Sequence, residues 1–527
     1  MTYAPQGSAG VFGGGMHVEG NCSQHGKPRW WWCVTANGCS VRNRIRPFEV
    51  AERPVIVMIL GNAEGAKGPQ FKVSATSSMT ARGLTMRLVP PEKVEKLQTA
   101  LRTKAKQSPG YRFYALYDKV YRADVLHYAY RLCRANDGSS GVDGQTFADI
   151  EVYGEDRWLG ELAEELRKKE YQPKAVRRVY IPKPDGKQRP LGIPTIRDRV
   201  VQTAALAVLE PIFEVDLQDE QHAYRPGRSA QDAIGQIERL LRSGRTEVVD
   251  ADLSGYFDSI PHRELMKSVA RRVSDRHMLH LVKMWLVAPV EETDERGNTH
   301  RTTRNKDDKR GTPQGAPISP LLSNLYMRRF VLGWKVLGYE NRFSAQIVNY
   351  ADDLVILCPR GCAEDAMKEM REMMCRLRLK VNEKKTRLAR LPEETFDFLG
   401  YTFGRLYDRR TGGAYYGGCP SLKSMKRLRG RIHEETTRRR LWKSEENMTT
   451  VINRLLTGWA NYFSVGTVRR SYSSVDHYVF QRLRQWWCAK HKVRNRRDTR
   501  FSYEYVYGQL GLTRLRARPR RVACANV

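Results

Sequence analysis

The sequence predicts an α+β domain built on an antiparallel sheet, followed by a basic helical bundle. Three observations carry that expectation. Short β-type runs joined by tight turns interleave with helical periods between about residues 176 and 410. After about residue 420 the pattern turns helical. The 91 Lys plus Arg outnumber the 58 Asp plus Glu by 33, and much of that excess falls in the helical region.

Length and composition narrow the possibilities. A chain of 527 residues allows about three domains, and 41% hydrophobic residues suffice for a sizeable core, which excludes global disorder. A net charge of +33 implies a polyanionic partner, nucleic acid or an anionic membrane face. The longest strongly apolar run, Val55 to Leu60, is far too short to span a bilayer, so no membrane is expected as a partner. The first residues have neither the basic start nor the apolar core of a signal peptide. Of the ten cysteines, none forms a Cys-x-x-Cys pair, which argues against a zinc ribbon or disulfide scaffold and for a reducing cytoplasm.

In chain order, residues 1–85 hold 12 of the 41 glycines and no sustained period, and they read as a poorly ordered or non-native extension. Met86 precedes the first strongly helical segment, Pro91 to Lys106, and Asn136-Asp137-Gly138 and Gly141-Val142-Asp143-Gly144 mark turns beyond it. Val176 to Ile181 and Arg189 to Ile193 read as a hairpin closed by Pro184-Asp185-Gly186-Lys187. Val200 to Phe213 is helical and Thr246 to Leu253 a strand. Ala345 to Asn349 and Leu354 to Leu357 are strands with a very short connection, and Met367, Met370, Met374 and Leu377 follow at helical spacing.

Three apolar stripes mark the bundle. They are Leu422, Met425, Leu428 and Ile432; then Met448, Val451, Ile452, Leu455, Leu456, Trp459 and Phe463; then Val475, Val479, Leu483 and Trp486. Residues 421–527 carry 25 Lys plus Arg against 7 Asp plus Glu, a density that suggests a phosphate-binding surface. The last segment reads as a Tyr-rich helix, Tyr503 to Leu510, then a basic run, Arg514 to Arg521.

The sharpest chemical signal is Tyr350-Ala351-Asp352-Asp353, two adjacent carboxylates between apolar runs and hence at a hairpin tip. Like charges at a turn repel unless a cation bridges them. A second acidic strand end, Asp250-Ala251-Asp252-Leu253-Ser254-Gly255-Tyr256-Phe257-Asp258, could bring Asp252 beside Asp352 to hold two divalent ions. Hard oxygen donors favour magnesium (Mg²⁺) over zinc. His262 and the pair Cys358 and Cys362 read as structural side chains rather than ligands.

Asp252 to Asp258, Gly311-Thr-Pro-Gln-Gly-Ala-Pro-Ile-Ser-Pro320 and Tyr350 to Asp353 follow the order of polymerase motifs A, B and C, and together resemble the palm of a reverse transcriptase. Tyr180 to Pro194, Ala223-Tyr-Arg-Pro-Gly-Arg228, Phe398-Leu-Gly-Tyr401 and Gly458-Trp-Ala-Asn-Tyr-Phe463 extend the resemblance over about residues 91–515, to the bacterial group II intron-encoded reverse transcriptase/maturases. It implies a right-hand polymerase, with fingers and an antiparallel palm sheet over 86–410. A helical thumb or maturase (X) domain over 411–495 and a basic tail over 496–527 would follow. The form it resembles lacks a C-terminal endonuclease domain; the residues after Asn495 hold one cysteine, Cys524, and no histidine.

The resemblance also implies roles. Asp252, Asp352 and Asp353 match the catalytic carboxylates, with Leu253 beside them at the metals. Phe257 matches the side chain that blocks a ribose 2′-hydroxyl, or is a core aromatic. Lys183 and Arg189 match contacts to the incoming triphosphate, and Gln314 a residue beside nucleotide and template. Lys385 matches a lysine near the leaving phosphate, with Lys384 the neighbouring alternative. Lys423, Lys426, Arg427 and Arg431 are the expected RNA-binding residues. The implied partners are group II intron RNA, RNA template, DNA primer, deoxynucleoside triphosphates and target DNA, in a bacterial cytoplasm. The expected activity is RNA-directed DNA polymerisation with assistance to splicing during intron mobility. A reverse transcriptase recruited to a host role such as phage defence, or a splicing-only RNA-binding maturase, are the alternatives.

Overall fold

A computed structural model describes residues 88–182, 188–294, 298–408, 410–493 and 499–518. The extension expected over 1–85, Lys183 and the turn at 184–187 lie outside them. Helix Ile196–Phe213 organises the first part of the fold. It is apolar on nearly every face, so it must be buried all round. Helices Glu92–Gln107 and Ala123–Asn136 pack against it. Its first turn is closed by Thr195, whose hydroxyl accepts from the Asp198 amide.

The strands are β1 (Val176–Pro182), β2 (Gln188–Ile193), β3 (Glu247–Asp252), β4 (Val290–Thr293), β5 (Thr299–Thr302), β6 (Gln346–Tyr350), β7 (Asp353–Cys358), β8 (Arg387–Arg390), β9 (Phe396–Phe398), β10 (Tyr401–Tyr407) and β11 (Ala414–Pro420). They form three sheets, in the orders β2-β1-β4-β5, β6-β7-β3-β8 and β11-β10-β9. Every neighbouring pair of the β6-β7-β3-β8 sheet runs antiparallel. The first sheet departs from a purely antiparallel expectation, because β1 pairs in parallel with β4.

The β6-β7-β3-β8 sheet is buried on both faces. Val249, Ala251, Ile347, Leu354 and Ile356 join the core that holds helix Ile196–Phe213. Val248, Val348, Val355, Leu357 and Ala389 join a second core, against helix Ala230–Arg242 and β9–β10. The assignment switches at each residue, as the strand period of two requires. It also fixes which way every charged residue at the strand ends must face.

The boundary expected at residue 410 is corrected: it falls inside the β10–β11 hairpin, whose strands pair from Tyr401↔Pro420 to Tyr407↔Ala414. Beyond it, helices Leu422–Glu435, Glu445–Tyr462 and Arg469–Lys490 bury Met425, Leu428, Ile432, Met448, Ile452, Leu456, Val475, Val479, Leu483 and Trp486 together. Leu422 is a correction. It is the first residue of its helix and stays 83% exposed. The expected tail is not separate from the bundle either. Phe501, Val506, Leu512 and Leu515 enter the same core, and Asp476 accepts from the Leu515 and Arg516 amides at 2.9 and 3.0 Å. The helix expected from Tyr503 to Leu510 is mostly one π-helical turn, Tyr505–Gln509.

The Gly458 to Phe463 segment joins the bundle to the sheets. The Tyr462 hydroxyl donates to the Leu399 carbonyl at 3.0 Å, and the Tyr462 carbonyl accepts from Gln231 at 3.0 Å and Tyr401 at 3.2 Å. Among the described residues no helix is long and apolar enough to cross a membrane.

Candidate active site

Strands β6 and β7 are joined by two residues, Ala351 and Asp352, with Ala351 in the left-handed region at φ 59°. A left-handed non-glycine residue is strained, so something must hold it. Asn349 does so. Its buried side-chain amide donates to the Ala351 carbonyl at 2.9 Å and the Asp353 carbonyl at 3.2 Å, closing the turn from inside.

Asp252 lies directly opposite Asp353 at the end of the β3–β7 ladder. Opposite residues of an antiparallel pair share a face, so both carboxylates project on the side of Val248 and Val355. Asp250 shares that face, 3.5 Å from Arg387. Burial first, then Asp352, Asp252 and Asp250, push the Asp353 carboxyl up to about 7. The Leu253 carbonyl also turns toward this end. The Asp252 carbonyl and Ser254 amide bond to Asn382 and Lys380 on one side, so the backbone alternation directs Leu253 to the other, where Ala351 and Asp352 lie.

Residues 382–386 wrap the end of β3. The Asn382 side chain donates to Asp252 Oδ2 at 2.8 Å, Lys385 Nζ lies 3.3 Å from Oδ1, and the Thr386 hydroxyl accepts from the Asp252 amide at 3.2 Å. Of the two adjacent lysines, it is Lys385 that is paired with the carboxylate.

A chain of backbone contacts gathers the other expected residues. The Gly192 amide of β2 donates to the Gln314 carbonyl at 2.6 Å, and the Thr312 amide donates to the Phe257 carbonyl at 2.8 Å. Gly315, at φ 105°, is required here: a Cβ on it would stand 2.4 Å from the Gly192 carbonyl oxygen. The hairpin that carries Arg189, the loop that carries Gln314 and the turn that carries Phe257 are thereby tied edge to edge. Phe257 is half-buried and packs edge-on against Tyr256 at 5.7 Å between centroids.

Sequence reasoning gave no role to Tyr224 or Asn349. Tyr224 holds a left-handed backbone at φ 56°. Its hydroxyl is pushed up by burial, then by Asp352, Tyr350 and Asp353, with Arg189 opposing, so it lies within electrostatic reach of these groups. The signal for Tyr224 is its place in Ala223 to Arg228. Asn349 gave none, because a polar residue in an apolar strand reads as an exception.

Lys423, Lys426, Arg427 and Arg431 lie on helix Leu422–Glu435, where positions 423, 427 and 431 recur every fourth residue and line one stripe. Lys423, Lys426 and Arg431 are exposed, and Lys423 Nζ stands 3.4 Å from Asp397. His262 has a structural partner, with Nε2 2.8 Å from the Gly311 carbonyl oxygen. Cys358 is buried, its thiol 3.5 Å from the Glu247 carbonyl.

The donors at the strand ends suit a hard divalent cation: three carboxylates and a carbonyl, with no imidazole or thiolate. Among the described residues no group of three His, Cys, Asp or Glu side chains converges closely enough to hold a metal ion as it stands; Asp252 is instead held by Asn382 and Lys385. Burial and then the neighbouring carboxylates raise Asp353, and the repulsive part is the kind a cation relieves, so donor chemistry and charge both fit.

Residues 181–403 match the family described as reverse transcriptase (RNA-dependent DNA polymerase), and residues 425–503 match the group II intron, maturase-specific domain. The chain is 32% identical over 392 residues to Protein YkfC of Escherichia coli K12, covering 66% of this chain and 97% of that protein. It is 33% identical over 228 residues to the group II intron-encoded protein LtrA of Lactococcus lactis, covering 42% of this chain and 36% of LtrA. It is 26% identical over 328 residues to the putative COX1/OXI3 intron 1 protein of Saccharomyces cerevisiae, covering 53% and 38%. The chain thus spans nearly all of the first relative and little over a third of the other two.

Proposed function

We infer the function from the family: this chain belongs to the reverse transcriptases that carry a group II intron maturase-specific domain. It is an RNA-directed DNA polymerase that also binds structured group II intron RNA, assists its splicing and copies it into DNA. The observation that carries the polymerase reading is the strand register, which sets Asp252 against Asp353 on one face with Asp352 in the adjoining turn. The β6-β7-β3-β8 sheet is the palm, and the β1–β2 hairpin with the N-terminal helices the fingers. The bundle after Pro420 is the thumb, with residues 499–518 as part of it. Lys423, Lys426, Arg427 and Arg431 bind RNA phosphates on its surface.

The reaction is attack of a DNA primer 3′-hydroxyl on the α-phosphate of a deoxynucleoside triphosphate paired to an RNA template. Asp252, Asp352, Asp353 and the Leu253 carbonyl would hold Mg²⁺. When bound, the metal supplies activation of the hydroxyl and charge stabilisation on the leaving oxygen. The chain's own residues do the rest. Arg189, with Lys183, neutralises the triphosphate. Phe257 and Gln314 line the nucleotide and template side, and the Gly192 and Thr312 contacts keep them in register with the aspartates. Lys385 Nζ neutralises charge near the leaving pyrophosphate and can give it a proton.

The test is extension of a DNA primer on an RNA template by purified protein with Mg²⁺ and deoxynucleotides. No extension, from protein shown to be folded, would refute the polymerase assignment. Lys385→Ala should slow incorporation by about tenfold or more, with template binding unchanged, because it removes one cation at the leaving group. Single-turnover kinetics check this. An unaltered rate would assign Lys385 to packing against Asp252 alone.

A further inference from the structure

The connection between the first two bundle helices carries the 3-10 turn Arg438–Arg440 and then Trp442, which is 78% exposed. An exposed indole offers a large flat apolar face with a polar edge. Here the fold fixes it in place. Lys490, at the end of helix Arg469–Lys490, donates from Nζ to the Leu441 carbonyl at 2.8 Å and the Lys443 carbonyl at 2.9 Å, on either side of Trp442. Arg482 of the same helix donates to the Thr436 carbonyl at 3.1 Å and to its hydroxyl at 3.2 Å. Arg440 and Lys443 both bond to Glu435, and Leu441 packs partly into the bundle core.

The backbone around Trp442 is thus pinned from within while its ring projects outward. Leu441 is turned to the core and so adds no apolar surface beside the indole. The indole's company is cationic. Arg438 and Arg439 are exposed, and Lys443 Nζ lies 6.0 Å from the indole centroid. A rigid π face among cations is the chemistry that grips unpaired nucleotides, by stacking on the base and pairing with flanking phosphates. A duplex keeps its base faces covered and offers only phosphates and groove edges.

We propose that Trp442 is a stacking platform for an unpaired RNA base, with Arg438 and Arg439 holding the adjacent phosphates. This rests on the reading that the chain binds structured RNA, and adds that the grip here is on a single-stranded element. Because the indole is exposed, its replacement should leave the melting temperature unchanged.

The experiment titrates the full chain, by fluorescence anisotropy, into a labelled single-stranded RNA of roughly a dozen nucleotides and into its duplex. Trp442→Ala should weaken single-strand binding about tenfold and leave duplex binding within about twofold. The slope of log affinity against log salt should stay the same, because no charge is lost. Trp442→Phe should recover most of the affinity. Arg438→Gln with Arg439→Gln should weaken both probes and flatten the slope. Single-strand affinity unchanged in Trp442→Ala, or an equal loss on the duplex, overturns the stacking site while RNA binding by the unsubstituted chain stands. Failure of the unsubstituted chain to bind either probe overturns both readings.

Discussion

Asp352→Ala lowers primer extension on an RNA template by about a thousandfold or more, while RNA affinity stays within about twofold. The expectation follows from position. Asp352 is one of only two residues joining β6 to β7, and its neighbour Asp353 is paired across the ladder with Asp252. The fold should tolerate the change, because the Asn349 amide bonds that hold the turn go to backbone carbonyls of Ala351 and Asp353 and not to the Asp352 side chain. The bundle surface that carries Lys426 and Arg431 is untouched, so binding and chemistry separate. Extension within tenfold of the unsubstituted protein would refute the metal-ligand assignment for this residue.

The same carboxylates should also make the stability depend on pH. Asp353 is raised from an ordinary 3.8 to about 7, so the folded chain holds this proton more tightly than the unfolded one. Between those values the folded state binds the extra proton, and its stability falls as pH rises through the window. With divalent cations chelated, the melting temperature should therefore decline from about pH 4 to about pH 7. Asp353→Asn should remove part of that decline, and added Mg²⁺ should oppose it by countering the repulsion. Comparison with the variant is needed because burial also raises Asp198, Asp250, Asp258 and Asp476, and lowers His222 and His262, which tilts the profile the other way. An identical pH profile for Asp353→Asn and the unsubstituted chain would show that the aspartates do not repel as their placement implies.

What the sequence discloses is what repeats at short range. The apolar runs Val248-Val249, Ile347-Val348 and Leu354 to Leu357 locate three strands to within a residue or two, and the very short connection between the last two marks their hairpin. The bundle stripes are equally local, except at Leu422, which the period includes and the fold leaves exposed. Pairings between distant segments are different. Nothing in Val176 to Ile181 names β4 as its parallel neighbour, and the Gly- and Tyr-rich β10–β11 hairpin has no clean alternation. The choice of Lys385 over Lys384 is likewise tertiary, decided by which ammonium the turn at 382–386 swings onto Asp252. Tyr224 and Asn349 act through positions that only the folded chain brings to the aspartates. Arg482 and Lys490 face the Trp442 loop from across the bundle, so neither could be assigned to it from spacing.

Phe257→Ala shifts the choice between deoxyribo- and ribonucleotides by about a hundredfold toward the ribonucleotide, with deoxynucleotide incorporation retained within about tenfold. Two roles compete for this ring: a barrier to a 2′-hydroxyl and a core aromatic. The structure gives it features of both. One side meets Tyr256 edge-on and the apolar core, yet the residue is only half-buried. Its backbone is fixed by the Thr312 amide, in the loop that also binds β2 through Gln314. A ring held this firmly cannot swing aside at low cost, which is what a steric filter needs, since a small polar addition to a substrate is poorly rejected by binding alone. Removing the ring leaves the Thr312 backbone bond in place, and Tyr256, whose hydroxyl is committed to the Ser323 carbonyl at 2.7 Å, still supports the turn. The fold should therefore survive. The measurement is the ratio of incorporation efficiencies for a ribonucleotide and its deoxy counterpart on one template, with melting temperature as the control. If the ratio stays put while the melting temperature drops, Phe257 is a packing residue and discrimination lies elsewhere. If the ratio moves and the melting temperature holds, the ring is the barrier.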